Sequence, residues 1–275
     1  MASTRRRGTK RTGAPYDHAA IAVPMAHPLN DTFAEHVPAA LQRPSVARFF
    51  GIPQVVEMLE SMGGEPSFER GLHALGASVH VEGLENLPEG PVVVAPNHPF
   101  AMIDVLATGA AVERRRPPGT VKAVVDRASA SLVELHPLML FVGDDAQQRE
   151  AFWEEAHAHL ASGGVVVMFP AGHSVKRARD GVALETPWRA GCLKLAARAG
   201  AALVPTHVHA PSRRRYQLLR RHLDRLVVQK LNLREAVRFR STARVRFGTP
   251  IPVDGCTPDI LRQRVYAVGR ETFRV

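Results

Sequence analysis

The chain has 275 residues, of which 45% are apolar and 23% charged; that is an ordinary globular composition with enough chain for a sizeable core, and it excludes collagen-like, coiled-coil and wholly disordered readings. Two cysteines, Cys192 and Cys256, exclude a disulfide framework and a four-cysteine zinc site and point to a reducing compartment. The formal net charge is +10, and it is concentrated: residues 1–12 carry five basic residues and no acid, and residues 213–246 carry twelve against only Asp224 and Glu235. Such segments are either solvated basic faces or attract something anionic: phosphate groups, nucleic acid, acyl carrier protein or anionic lipid.

In chain order, residues 1–45 are rich in Pro, Ala, Arg and His with weak periodicity and read as a flexible basic arm. Residues 46–62 present an apolar helical face (Val46, Phe49, Phe50, Val55, Val56, Met58, Leu59, Met62) broken near Pro53; this is either a helix docked on the core or, over 46–64, an interfacial helix lying on lipid. From residue 65 helices and strands alternate. The pattern predicts a helix at Ser67–Leu75, strands at Ser78–Val81 and Val92–Pro96, a helix at Ile103–Glu113 and a strand at Val121–Val125. A short helix near Ala128–Leu135 and a strand at Leu138–Val142 follow. Then come a helix at Ala146–Ala161, a strand at Val165–Phe169, a helix at Pro187–Ala199, a strand at Ala202–His207, helices within 212–236, a strand at Ala243–Phe247 and a helix at Pro258–Thr272. Runs such as PVVVAP and VVVMF are continuously apolar, as strands covered by helices on both faces must be. The expected fold class is therefore α/β, a mostly parallel central sheet flanked by helices, with a helical N-terminal extension; residues 46–275 form one domain. No apolar run reaches the roughly 18 residues that span a bilayer, and no apolar stretch follows the basic N-terminus. The expectation is a protein neither secreted nor integral to a membrane.

In such sheets chemistry collects beyond the carboxyl ends of strands, which directs attention to three places. After the first buried strand stands Asn97-His98-Pro99, with Asp104 six residues beyond His98. Pro99 disfavours the α conformation at His98, so the histidine sits in a turn. An Asp carboxylate on one ring nitrogen would fix the tautomer and make the other nitrogen a better base; a turn histidine beside a capping Asp is the structural alternative. At the end of the predicted buried strand Val165–Phe169 comes Phe169-Pro170-Ala171-Gly172-His173-Ser174-Val175-Lys176-Arg177. Gly172 allows close backbone approach, and Ser174, Lys176 and Arg177 can grip an oxyanion or phosphate. Gly172-His173-Ser174 also nearly matches a hydrolase nucleophile elbow, but Lys176 stands where the second glycine belongs. The third place, Val204-Pro205-Thr206-His207-Val208-His209, puts two histidines on one strand face, a spacing that metal sites use when further ligands are near. His157 and His159 share that spacing in a predicted helix, where they diverge, and are expected at the surface.

The order of Asn97-His98-Pro99…Asp104, Phe169-Pro170-Ala171-Gly172 and Val204-Pro205, each after a strand, resembles the PlsC-like glycerolipid acyltransferase superfamily over roughly residues 65–255. The likeness is nearer its branch of lyso-ornithine-lipid acyltransferases and haemolysin-related acyltransferases, which Trp188-Arg189-Ala190-Gly191…Lys194-Leu195-Ala196 also resembles. The resemblance implies that His98 is the general base and Asp104 its orienting partner. The substrate-binding set would be Asn97, Phe169, Pro170, Gly172, Ser174, Lys176 and Arg177. The donor would be acyl-CoA or acyl-acyl carrier protein, with no cofactor or metal and no covalent acyl-enzyme. The acceptor would be a hydroxyl of a lyso-lipid or related alcohol. The enzyme would sit peripherally on an anionic membrane surface at the cytoplasmic face, with no nucleic acid partner. Five residues separate His98 from Asp104 where the common motif has four, a spacing the branch tolerates. Ala171 replaces the superfamily's Glu, and Arg149 is the candidate for an arginine that the family places between these motifs. Two rivals follow from the same residues: a non-enzymatic binder of anionic surfaces, and a hydrolase of acyl esters or thioesters.

Overall fold

The computed structural model describes residues 66–100, 102–117, 119–126, 133–172, 176–177, 183–184, 186–210 and 242–270; for 133–135, 176–177 and 183–184 it describes the backbone alone. The basic arm, the 46–64 segment, the helices expected in 212–236, and Ser174 lie outside these residues, as do the side chains of Lys176 and Arg177.

The elements are α1 (Phe68–Ala74), β1 (Ser78–Glu82), β2 (Val92–Pro96), α2 (Met102–Glu113), β3 (Val121–Asp126), β4 (Met139–Val142), α3 (Ala146–Ala161), β5 (Val165–Val167), β6 (Lys176–Arg177), β7 (Ala183–Leu184), α4 (Gly191–Ala199), β8 (Ala202–His209), β9 (Thr242–Phe247) and α5 (Pro258–Arg270). Seven strands form one sheet in the order β1-β9-β8-β2-β5-β3-β4. Every neighbouring pair is parallel except β8–β9. The fold is the expected α/β class, with one antiparallel step that composition does not announce.

Alternation along the strands divides the core in two. Val92, Val94, Val165, Val167, Val204 and Val208 face α1 and α2, while Val93, Ala95, Val166 and Leu203 face α3, α4 and α5. The middle of the sheet is dry on both faces, which is why β2 reads Val-Val-Val-Ala-Pro without a polar residue and is buried throughout. Each fully buried valine contributes about 1.5–3 kcal/mol. Helix α2 is buried from Ile103 to Val112, because α1 covers its outer side. The two helices approach closely at Gly109, where an added Cβ would meet the Phe68 ring at 2.2 Å. Glu113 at the end of α2 accepts from the Ser67 hydroxyl and from the backbone N–H of Phe68 and Glu69, satisfying donors that the first turn of α1 leaves open.

Of the short helix expected near Ala128–Leu135, residues 128–132 lie outside the described residues, and Val133–Leu138 form a 3-10 turn. Two predicted elements need correction. Helix α4 begins at Gly191, not Pro187, because residues 186–189 form no regular structure and are tied to the loop after β5: the Arg189 N–H donates to the Pro170 carbonyl at 3.0 Å. Strand β8 continues to His209, two residues further than its sequence suggests, since β9 pairs there (His207↔Arg246, His209↔Arg244). The sheet also accommodates Pro205: β9 begins pairing with β8 only at Thr206, so the missing N–H of Pro205 leaves no rung unmade.

Candidate active site

The three places singled out by sequence meet at one edge, because β8, β2 and β5 are consecutive neighbours in the sheet. After Pro96 the β2 backbone leaves the sheet and turns into α2. Within that turn His98 Nδ1 lies 3.0 Å from Asp104 Oδ2. The same carboxylate oxygen accepts the backbone N–H of Phe100 at 2.5 Å. A carboxylate only accepts, so the ring hydrogen sits on Nδ1 and the Nε2 lone pair is left for chemistry. Asp104 is fully buried. A lone buried carboxylate would be costly, but two N–H donors and the first turn of α2 stabilise its charge. His98 keeps 13% of its side chain exposed, enough for a substrate atom to reach the ring. The five intervening residues do not separate the pair, because the turn at Pro99 and Phe100 closes the distance before α2 begins.

The Phe169 ring stacks on the His98 ring, with centroids 4.3 Å apart and planes tilted by 36°. Phe169 thus packs the imidazole as well as lining the loop. Its loop is a tight turn: the Gly172 N–H donates to the Phe169 carbonyl at 3.0 Å, and Gly172 adopts φ +68, the left-handed region that glycine enters without strain. Pro170 and Ala171 are buried and Gly172 is exposed. The Thr186 hydroxyl donates to the Ala171 carbonyl at 2.5 Å. Of Phe169, Pro170 and Gly172, the one left open to a ligand is Gly172. Ser174 and the Lys176 and Arg177 side chains lie outside the described residues, although the Lys176–Arg177 backbone pairs with Ala183–Leu184 as a two-residue hairpin.

Asn97 has a different neighbour from the one its sequence position suggests. It is 4% exposed, and both ends of its amide bond Val208: Nδ2 donates to the Val208 carbonyl at 3.0 Å, and the Val208 N–H donates to Oδ1 at 2.6 Å. No sequence signal marks Thr186 as part of this region; Val208 lies in the third of the three places but is not itself singled out, and the Trp188-Arg189-Ala190-Gly191 stretch carries a signal only through its resemblance.

Arg149 does not join the site. It lies in the first turn of α3, which follows β4, three strand positions from β2 or about 14 Å laterally, and its guanidinium donates to the Asp144 carbonyl. His207 and His209 point to the opposite sheet face from His98. His207 packs against Tyr266 and Gly269 of α5, and burial, then the neighbouring His209, lower its pKa to about 4. Among the described residues no group of three or more His, Cys, Asp or Glu side chains is arranged to hold a metal ion. His159 is half-buried rather than at the surface, its ring against the Thr120 carbonyl at 3.1 Å.

Residues 78–209, the segment that contains every part of this geometry, match the family model described as Acyltransferase. This segment is similar to acyltransferase-family domains. The chain is 31% identical over 145 residues to a lyso-glycine lipid O-acyltransferase of Bacteroides thetaiotaomicron, covering 52% of this chain and 53% of the relative. It is 29% identical over 145 residues to the protein of the same name from Phocaeicola vulgatus, covering 52% and 51%. The chain thus spans about half the length of the curated relatives it matches. In fold, the chain is similar to the crystal structure of the 1-acyl-sn-glycerophosphate (LPA) acyltransferase PlsC from Thermotoga maritima. The TM-score is 0.50 and the identity 15%, over 90% of this chain and 96% of that one. Among the described residues no helix is long and apolar enough to cross a membrane.

Proposed function

We propose that the chain transfers a fatty acyl group from an acyl thioester, acyl-CoA or acyl-acyl carrier protein, to the hydroxyl of a lyso-lipid. The acceptor is of the kind named for the relatives from Bacteroides and Phocaeicola. The observation that carries the reading is the His98–Asp104 pair at the carboxyl edge of β2, inside the matched segment.

Asp104 holds the Nδ1 hydrogen of His98, so Nε2 takes the proton of the acceptor hydroxyl as its oxygen attacks the thioester carbonyl. The resulting tetrahedral intermediate expels the thiolate, which receives the proton back from Nε2. The acyl–sulfur bond breaks, the acyl–oxygen bond forms, and the imidazole ends as it began. A positioned base of this kind contributes about 10²- to 10⁴-fold. Phe169 keeps the ring from rotating, and the exposed Gly172 turn gives the acceptor a path to it. The net positive segments 1–12 and 213–246 favour a peripheral seat on the anionic inner face of a membrane, where each Lys or Arg contributes about 1 kcal/mol.

The test incubates purified protein with labelled acyl-CoA or acyl-carrier protein and a panel of lyso-lipids that includes a lyso-glycine lipid. Acylated product that is lost in His98→Ala is the expected result. Turnover unchanged by His98→Ala sinks the mechanism. Acid released to water without acylated product would instead make the chain a hydrolase.

A further inference from the structure

We propose that Asn97 is a positioning residue: its side-chain amide locks the loop that carries His98 onto the end of β8. The inference deepens the functional reading, since it rests on His98 being the base.

The β2–β8 register ends at Pro96↔Thr206. Beyond it the β2 backbone turns away, and Val208, two residues further along β8, would be left facing nothing on that side. Val208 is 1% exposed, so water does not readily serve its N–H and C=O, and leaving them unmade is costly. The Asn97 amide supplies one acceptor to the N–H and one donor to the C=O. A planar side-chain amide thereby does the work of one more peptide group and extends the parallel ladder past the point where the chain has left it. Only one amide orientation satisfies both bonds, so the side chain is fixed as well as buried. No isosteric residue does the same: Asp would set a carboxylate oxygen against the Val208 carbonyl, and Leu would satisfy neither group.

The consequence falls on the next residue. The His98 backbone is held from before by Asn97 on β8. It is held from behind by Phe100, whose N–H is on Asp104. With both flanks pinned, the ring has one placement that meets Asp104 Oδ2 on one side and Phe169 on the other. A base must be held to within about an ångström of its productive position, and misplacement by that much costs about 100-fold. Asn97 touches no substrate in this account. It acts through His98.

The experiment uses the full chain, labelled with ¹⁵N, and reads His98 by long-range proton–nitrogen correlation at alkaline pH, with His98→Ala to assign the signal. Wild type should show a single Nδ1–H tautomer. Asn97→Asp and Asn97→Ala should show mixed tautomers, faster exchange of the Val208 amide, and kcat lower by about 10- to 100-fold, with both KM values within about twofold. Val265→Ala, in α5 against the other sheet face, should lower the melting temperature and leave the tautomer single. Should Asn97→Ala fail to fold, Asn97→Asp, which keeps the acceptor for the Val208 N–H, carries the reading. An unchanged His98 spectrum in the folded Asn97 variant overturns the proposal. So does a raised acceptor KM at constant kcat, which would make Asn97 a substrate contact. Failure of the functional reading shows separately, as turnover that survives His98→Ala.

Discussion

The ring of Phe169 lies 4.3 Å from the ring of His98, although 70 residues separate them. The contact exists because β2 and β5 are adjacent, with Val92↔Val165 in register, so the loops that leave their carboxyl ends emerge side by side. Phe169→Ala removes a side chain that is 8% exposed. The expected cost is about 3–5 kcal/mol of stability, read by denaturant unfolding. The acyl-transfer rate of the folded fraction should also fall, since the imidazole loses one of its two restraints. A Phe169→Leu variant that keeps both stability and rate would contradict the packing role.

Asp104 serves two donors with one oxygen. Asp104→Asn keeps the shape but substitutes a neutral amide, so the Nδ1 hydrogen of His98 is no longer held by a charge. The expected loss in kcat is about 10²-fold or more, within the range assigned to a positioned base. Asp104→Ala should in addition remove the carboxylate that accepts the buried Phe100 N–H, a cost of about 1–3 kcal/mol. Comparing the melting temperatures of the two variants separates the effects: similar melting temperatures would mean that the Phe100 bond contributes little.

His207 predicts a pH dependence of stability. Its pKa in the fold is lowered from 6.5 to about 4 by burial under α5, then by His209. Glu82, Arg244 and Arg246 border the same groove. A lowered folded pKa means that the unfolded chain binds the proton more tightly. The contribution of His207 is therefore complete above pH 6.5 and is lost as the pH falls from about 6.5 to about 4, by at most about 3 kcal/mol. Unfolding measured at a series of pH values should show this slope, and His207→Gln should flatten it. An equal slope in the variant would assign it to other groups.

Gly109 is required where α1 crosses α2. Gly109→Ala would place a methyl within 2.2 Å of the Phe68 ring, which is itself fully buried and cannot swing into solvent. The expected destabilisation is about 1–3 kcal/mol from overpacking. Since α2 carries Asp104 in its first turn, activity should fall with it. A Gly109→Ala, Phe68→Leu double variant should recover part of the loss.

The fold class was legible in the residues because the signal is local. Buried parallel strands must be apolar on both faces, and Val-Val-Val at 92–94 and again at 165–167 has no other comfortable place. Asn97-His98-Pro99…Asp104 was legible too, since a proline-bounded turn before a helix can fold a carboxylate back onto an imidazole within one stretch of chain. What the sequence could not determine were relations set by which strands are neighbours. The order β8-β2-β5 places Phe169 on His98 and Val208 beneath Asn97, and strand order is fixed by how the helices cover the two faces of the sheet, not by any one segment. The start of α4 was misread for the same reason. Residues 187–190 could extend a helix locally, but the Arg189 N–H and the Thr186 hydroxyl instead donate to the Pro170 and Ala171 carbonyls, and residues 186–189 form no regular structure. The sequence by itself determined the layers and the nearness of His98 to Asp104; the tertiary structure decided what holds these two residues still, because backbone groups left open by one strand are satisfied by side chains from another.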